Sequence, residues 1–265
     1  MEWRAPHKPH HPFPLSLQND CVRAAEILQS FIKTKDLLPD APIWSRKDLH
    51  NVKGLLVVTL FRAGFLFSGR FGSGILVSRT DEGRWSSPSA VIIASGGFGG
   101  LIGFDLTDFV FFLYDDTAVK VFSRAAGVTL GCGATLALGP FGRSFEISGA
   151  ISFSGASAVP AHAKTMGIMA GLSLQVDLVF ENRIANTRAY GRGVRAREEL
   201  RSSQTGAPAN AERLMRILQS DLFTQHGEPL DDLLSQRDLE GGSNQMLEGQ
   251  QEEGRQPGDQ AHSGP

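Results

Sequence analysis

The sequence contains little cysteine, and this scarcity argues against a fold that depends on disulfide bonds. Its 265 residues include two cysteines, Cys21 and Cys132, which are far apart in the chain. Disulfide-rich domains are small and secreted, and they carry more cysteines than this. The opening residues also lack the apolar segment of a secretory signal peptide. We therefore expect two reduced, buried thiols in a cytoplasmic protein.

The sequence also lacks an excess of charge of either sign. It has 26 Lys and Arg residues against 28 Asp and Glu residues, for a formal net charge of −2. Nucleic-acid-binding domains usually carry a clear basic excess, so we do not expect a nucleic acid as partner. Basic character is local instead, because residues 43–72 carry one acid, Asp48, and five cations. These cations are Arg46, Lys47, Lys53, Arg62 and Arg70.

One stretch without charge is long enough to cross a membrane, but its composition favours a sheet. Residues 85–104 contain no charged side chain, and about 20 apolar residues suffice for a transmembrane helix. Gly96 and Gly100 also have the small-xxx-small spacing of packed membrane helices. However, Pro88, four serines and five glycines lower the hydropathy of this stretch. Glycines in a sheet explain the same spacing, so we expect no transmembrane segment.

Glycine is abundant in the apolar part of the chain, and this favours bent strands over helices. The β-prone stretch 54–103 contains a glycine every few residues, and an interior glycine costs a helix about 0.5–1 kcal/mol relative to alanine. Apolar residues occupy both alternations around residues 55–61, which predicts strands that are buried on both faces. The pattern predicts an α+β fold, with a strongly bent antiparallel, barrel-like sheet and flanking helices. We expect strands near residues 55–61, 65–70, 73–80, 89–95, 100–105, 109–113, 128–138, 145–153, 166–174 and 175–180, and a helix near 116–126.

Composition divides the rest of the chain into ordered and disordered parts. Residues 16–38 have apolar side chains at the i, i+3, i+4 and i+7 positions of one helical stripe. This helix either packs on the core or lies in a membrane surface, and its neutral polar face favours the core. Segments with few apolar residues cannot bury enough surface to order themselves. We expect a disordered segment at 1–15, one domain at 16–191, a linker at 192–207, a C-terminal helix at 208–224 and a disordered tail at 225–265.

Motifs for catalysis and cofactor binding are incomplete. The GGFGG sequence that ends at Gly100 lacks the third glycine of a dinucleotide fingerprint, because Ile102 occupies that position. Asp105 and Asp108 are spaced as a carboxylate pair, but such spacing more often marks a strand end. Two histidines fall within the expected fold without a nucleophile or metal motif around them. These are His50 and His162. We expect no enzymatic activity, no cofactor and no metal site.

The five cations within residues 43–72 are the remaining candidate for function. On an ordinary soluble protein they form a solvated surface. If they converge on one face, each contributes about 1 kcal/mol near an anionic bilayer. A total of about 4–5 kcal/mol supports weak, reversible binding, so a second element such as the helix at 16–38 is needed for firm attachment. The same cations can instead meet the acidic surface of a protein filament.

Five sequence blocks together resemble the SYLF family of lipid-binding proteins. They are RAGFLFSGRFGSGILVSR, GRWSSPSAV, GGFGGLIGFDLTDFVFFL, TLGCGATLALGPFGR and MGIMAGLSLQ. The resemblance implies a domain that binds phosphoinositides and, in fungal and animal members, binds and bundles actin filaments at endocytic sites. It implies no enzymatic activity. It also implies a membrane-binding helix at 16–38, with Lys33 and Lys35 as its basic members, and it aligns Arg62 and Arg70 with basic residues of the family.

The sequence departs from the family pattern at positions that concern the ligand more than the fold. Tyr114 replaces a usual Asn, the triplet His-Ala-Lys at 162–164 replaces a usual Tyr-Ser-Lys, and Met169 replaces a usual Phe. Many members also carry a Src-homology-3 or FYVE domain, and residues 192–265 predict neither. These departures put the choice of ligand in question.

Together, the residues and the resemblance predict a non-enzymatic peripheral membrane module in endocytosis or cortical actin organisation. We expect it in the cytoplasm, at membranes or cortical actin sites. Its expected ligands are anionic phospholipids, above all phosphoinositides, and filamentous actin is a second expected partner. The alternative is an actin-filament-binding adaptor without significant lipid binding. The residues expected to bind lipid are Lys33, Lys35, Arg46, Lys47, Lys53, Arg62 and Arg70.

Overall fold

The fold combines one antiparallel sheet with helices packed against it. The computed structural model describes residues 10–14, 16–35, 49–123, 126–152, 155–191 and 208–225, together with Gly227 and Pro229. Helix α1 (Leu17–Lys35) precedes strands β1 (Gly54–Ser78) and β2 (Ser89–Leu113). Helix α2 (Asp116–Phe122) precedes strands β3 (Ala126–Ser152) and β4 (Gly155–Glu181). Helix α3 (Arg183–Tyr190), a 3-10 turn (Ala209–Ala211) and helix α4 (Glu212–Gln219) follow.

Long antiparallel pairings join the strands in the order β1-β2-β4-β3. β1 and β2 form one hairpin, β3 and β4 form another, and β2 pairs with β4 from Val91↔Glu181 to Phe111↔Ala161. No pairing joins β1 to β3 among the described strands. Because β2 lies between β1 and β4, side chains that point to the same face of these three strands form one continuous surface.

Strand β1 folds back on itself at its middle. Leu66 has a φ of 62°, and the pairing with β2 shifts register between Phe65 and Phe67. A Cβ atom on Gly72 would lie 1.9 Å from the carbonyl oxygen of Thr59. The two halves of β1 therefore lie side by side, and position 72 requires glycine because any side chain would collide with the neighbouring backbone. Both ends of β1 lie at one end of the sheet, and its middle lies at the other.

Apolar packing covers both faces of the sheet at the strand ends. On the face that we call outer, Leu55 and Val57 are buried in a core to which α1 and α4 also contribute. On the opposite, inner face, Leu56 and Val58 belong to a second core that includes residues of α2. The two cores are separated by the sheet because successive strand side chains point to opposite faces. The burial on both faces that the apolar residues near 55–61 predicted is confirmed for residues 55–60, whereas Phe61 is 43% exposed.

The α+β class and the antiparallel sheet are confirmed, but the strands are longer than the sequence predicted. The strands expected near 55–61, 65–70 and 73–80 are all parts of β1. Likewise, the strands expected near 89–95, 100–105 and 109–113 are parts of β2. The pairing of β1 with β2 continues through the glycines between them, except at the register shift between Phe65 and Phe67. The barrel-like closure of the sheet stays a prediction.

The helices lie where the sequence pattern placed them, with shorter bounds. Helix α1 occupies most of 16–38, α2 ends at Phe122, and the helix expected at 208–224 is a 3-10 turn followed by α4. Cys21 lies on the buried face of α1, and this burial raises the pKa of its thiol. The expected linker at 192–207 and most of the expected tail at 225–265 lie outside the described residues.

Candidate functional site

Three of the predicted lipid-binding cations can be located, and they do not form one solvent-facing surface. Arg62 and Arg70 are 3% and 5% exposed, because both side chains point to the inner face of the sheet. Lys53 is about half exposed and lies at the start of β1, where its Nζ is 3.1 Å from Asp116 Oδ1. The expectation that the sheet presents Arg62 and Arg70 to a ligand is therefore not met in this conformation.

The other predicted cations lie at or beyond the limits of the described residues. Arg46 and Lys47 lie outside them. Lys33 and Lys35 lie in the last turn of α1, which ends at Lys35. Among the predicted cations whose side chains the structure describes, Arg62 and Arg70 both lie on the inner face of the sheet, and Lys53 lies at the start of β1.

The two buried arginines form ion pairs across neighbouring strands. Arg62 Nε and Nη2 donate to Asp105 Oδ2 at 3.0 and 2.5 Å, and Arg62 and Asp105 are direct partners in the β1–β2 register. Asp105 Oδ1 also accepts a hydrogen bond from Thr107 Oγ1 at 3.0 Å. Arg70 Nη2 donates to Asp177 Oδ1 at 2.6 Å, which links β1 to β4. A buried ion pair is stable only when its charges are well matched, and losing one partner costs about 3–5 kcal/mol.

A broad apolar surface covers the outer face of the sheet at the strand middles. Phe67 is 76% exposed and Leu172 is 67% exposed, although both are large apolar side chains. The surface is continuous across strands, because Phe98 pairs with Phe67 on β1 and with Leu174 on β4. We call this surface the apolar face. It consists of Phe61, Phe65, Leu66, Phe67, Phe71, Phe98, Ile102, Phe104, Ile168, Leu172, Leu174, Val176 and Leu178.

The strand middles reverse the usual polarity of a sheet in water. In β4, Leu174 and Val176 are exposed, whereas Ser173, Gln175 and Asp177 are buried. In a sheet with one solvated face, the polar side chains normally point to the solvent and the apolar side chains point to the core. The reversal follows from the register, which turns the polar alternation of β4 towards Arg70 on the inner face. Sequence reasoning found the strand here but missed the reversal, because alternation alone does not show which face is covered.

The outward positions at the middles of β1, β2 and β4 carry no polar side chain. In β1 the odd positions of 61–71 are Phe, Ala or Gly, and in β2 the even positions of 94–104 are Ala, Gly, Phe or Ile. In β4 the even positions of 166–178 are Met, Ile, Ala, Leu or Val. Contiguous exposed apolar surface of this kind marks an interaction site on a soluble protein.

A segment before α1 contacts the sheet near the apolar face. His10 bridges two carboxylates, with Nδ1 at 3.1 Å from Asp108 Oδ2 and Nε2 at 3.0 Å from Glu26 Oε2. The hydrogen bond to Asp108 raises the pKa of His10 above its ordinary value, although burial opposes this. Phe13 packs against Phe71, with ring centroids 6.5 Å apart. Residues 10–14 therefore do not behave as part of a disordered 1–15 segment, because ion pairing and ring packing hold them to the domain.

Asp105, Asp108 and His162 contact neighbouring groups of the fold. Asp105 faces inwards to Arg62, whereas Asp108 faces outwards to His10, so the two carboxylates lie on opposite faces of β2. His162 packs edge-on against Phe112, and burial lowers its pKa. A cleft of about 510 Å³ between the start of α1 and α3 is lined by neither a histidine nor a carboxylate.

The structure also bears on the dinucleotide fingerprint and the membrane helix that the sequence analysis considered. The glycine-rich stretch that ends at Gly100 lies inside β2, so it neither opens a helix nor forms a membrane helix. None of the described helices is long and apolar enough to cross a membrane.

The chain is similar to proteins of one family over most of its length. The Ysc84 family model, described as a Las17-binding protein actin regulator, matches residues 94–221. An SH3 domain-containing protein of Schizosaccharomyces pombe is 42% identical over 214 residues, which cover 81% of this chain and 50% of the relative. Protein YSC84 of Saccharomyces cerevisiae is 40% identical over 219 residues, 82% of this chain and 47% of the relative.

An animal relative shows a similar degree of identity. The human SH3 domain-containing YSC84-like protein 1 is 36% identical over 219 residues, which cover 83% of this chain and 63% of the relative. The chain spans about half the length of the fungal relatives. No solved structure matches. The aligned region includes the whole sheet and the apolar face, and the chain therefore belongs to the Ysc84 (SYLF) family.

Proposed function

We propose that this protein is a non-enzymatic adaptor that joins phosphoinositide-containing membranes to the actin machinery in endocytosis or cortical actin organisation. It would act in the cytoplasm, as a peripheral protein at membranes or at cortical actin sites. The observation that carries the proposal is the exposed apolar face, which spans three strands and has no charged side chain on it. A surface of this kind requires a binding partner. The family description as an actin regulator supports the actin side of the proposal.

We assign the contacts to lipid headgroups to the predicted cations other than the two that form ion pairs inside the sheet. Arg62 and Arg70 are committed to Asp105 and Asp177, and moving them outwards would leave those carboxylates buried without their cations. This argument leaves the other members of the predicted set as proposed headgroup contacts. They are Lys33, Lys35, Arg46, Lys47 and Lys53.

Flotation with lipid vesicles tests the membrane half of the proposal. Vesicles of phosphatidylcholine and phosphatidylserine are compared with vesicles that also contain a phosphatidylinositol bisphosphate. We expect the phosphoinositide to increase binding, and we expect Arg46→Glu/Lys47→Glu to remove that increase. The matched control is Arg84→Glu/Lys120→Glu, which changes the charge equally at two exposed positions outside the proposed set. Equal binding of parent and Arg46→Glu/Lys47→Glu would contradict the headgroup assignment.

Co-sedimentation with filamentous actin tests the actin half and the second candidate function. That candidate is an actin-filament-binding adaptor without significant lipid binding, and the family description favours it. We expect the full chain to pellet with filaments at low salt. Pelleting without vesicle flotation would select the second candidate, whereas flotation without pelleting would restrict the protein to membranes.

A further inference from the structure

We propose that the apolar face is a membrane-insertion surface whose ligand is the hydrocarbon of lipid acyl chains. This inference deepens the proposed membrane function and rests on it. It moves the main membrane contact from the predicted cations to the strand middles, where no cation is exposed on the outer face of β1, β2 or β4.

The first argument is complementarity of charge and hydrogen bonding. The outward positions at the middles of β1, β2 and β4 hold only Gly, Ala, Val, Leu, Ile, Met and Phe. Protein–protein interfaces usually combine an apolar centre with a polar rim and several direct hydrogen bonds. A face without any polar side chain offers no such rim. The partner that matches it best is an environment that also lacks polar groups. Acyl chains meet this requirement.

The second argument is that the charged side chains of this region are already paired inside the sheet. Insertion into hydrocarbon is costly for polar groups that lack a partner. Arg62 pairs with Asp105 and Arg70 pairs with Asp177 on the inner face. The backbones of β2 and β4 are paired on both edges except at the register shifts, which leave residues 99–101 of β2 and Met166 of β4 paired on one edge only, and the two halves of β1 lie side by side. Immersing the outer face would therefore leave these charges and ladders intact.

The third argument is the position of the face relative to the helices. Helix α1 packs on the outer face at the strand ends, where Leu55 and Val57 are buried, and α4 packs on α1. The apolar face begins where this cover stops, at Phe61 and Phe71. The exposed middles can thus enter a membrane while the helices remain at its surface and limit the depth.

The composition of residues 225–265 is poorly suited to covering the face. Residues 225–265 contain six large apolar residues and nine acids. Packing this segment on the thirteen exposed apolar side chains would bring carboxylates onto a face that carries no cation. A second copy of the chain is the remaining occupant of similar chemistry, and it enters the test as a contrary outcome.

Vesicle flotation of single-residue variants tests the proposal. Phe67→Ser and Leu172→Ser change two strongly exposed members of the face, and Ile184→Ser is the matched control because Ile184 is 68% exposed on α3. Since burying one such side chain changes an equilibrium about tenfold or more, we expect each face variant to bind vesicles about tenfold more weakly than the parent. We expect Ile184→Ser to bind as the parent does. Unchanged thermal unfolding verifies that the variants are folded.

The salt dependence and the oligomeric state separate the possible outcomes. Binding that survives high salt but is lost in Phe67→Ser supports insertion, even when phosphoinositide proves unnecessary and the headgroup assignment fails. Phosphoinositide-dependent binding that is lost in high salt and unchanged in Phe67→Ser supports the proposed function and overturns insertion. A dimer in size-exclusion chromatography that Phe67→Ser dissociates, with unchanged flotation, would also overturn it in favour of a second copy.

Discussion

The ends and the middles of the same strands face different surroundings. At the ends, Leu55 and Leu56 point to opposite faces and both are buried, because helices cover one face and a second core lies on the other. In the middles, Phe67 is exposed on the outer face while Arg62 and Arg70 lie inside. The ends thus follow the rule for a protein core in water. The middles follow the opposite rule, with charges inside and apolar groups outside.

This contrast separates the residues that stabilise the fold from those that are available for binding. Burial at the ends contributes the hydrophobic stabilisation of the domain. The apolar face contributes little of it, because its side chains remain in contact with water. Substitutions should therefore affect stability at the ends and in the inner ion pairs, and they should affect binding at the apolar face.

The largest expected effect is on the inner side of the middles. Asp105→Ala removes the carboxylate that pairs with Arg62 in the interior, so we expect a loss of about 3–5 kcal/mol in the free energy of unfolding. The comparison is Glu82→Ala, which breaks the exposed pair with Arg84 and should cost no more than about 1 kcal/mol. Urea denaturation measures both. Similar losses for the two variants would mean that the inner pair is hydrated.

A leucine substitution compares the ends with the middles directly. Leu56→Ala creates a cavity in the core that includes α2 and should cost about 2–5 kcal/mol. Leu172→Ala changes an exposed side chain and should stay within about 0.5 kcal/mol of the parent. Thermal unfolding followed by circular dichroism measures the two shifts. A large loss in Leu172→Ala would show that the apolar face is covered in solution.

The bend of β1 can be tested with two glycines that differ in their surroundings. An added Cβ at Gly72 would lie 1.9 Å from Thr59 O, whereas an added Cβ at Gly69 would meet nothing within 4 Å. We expect Gly72→Ala to lose about 1–3 kcal/mol through overpacking, and Gly69→Ala to unfold as the parent does. Equal stability of both variants in urea would indicate that the two halves of β1 are further apart than the contact between position 72 and Thr59 requires.

The smallest expected effect concerns the segment that reaches the border of the apolar face. The pKa of His10 is raised above its ordinary 6.5 by Asp108. Protonated His10 therefore stabilises the fold fully below about pH 6.5, and this contribution is lost as the pH rises through the raised pKa. Unfolding curves of the parent and His10→Gln should differ most at low pH and converge at high pH. A difference that is independent of pH would exclude this ion pairing.

The sequence predicted the strands and helices better than it predicted the site. Residues 55–61 indicated burial on both faces because the side chains that point to either face are apolar, and this holds for residues 55–60 but not for Phe61. Arg62 was expected at the surface because charged side chains are usually exposed. Yet Arg62 occupies the same face of β1 as Leu56, Val58 and Leu60, and this face points inwards. Its partner Asp105 lies 43 residues away, and such long-range pairing does not appear in a local pattern.

The depth of residue 67 in a bilayer tests the central claim most directly. Phe67→Trp places an indole on the apolar face, and Ile184→Trp places one on α3 outside it. With vesicles whose acyl chains carry bromine near the headgroup or near the bilayer centre, we predict a blue shift and strong quenching of the added fluorescence for Phe67→Trp. We predict little quenching for Ile184→Trp. Vesicle-bound Phe67→Trp that is not quenched by brominated acyl chains would contradict insertion of the strand middles.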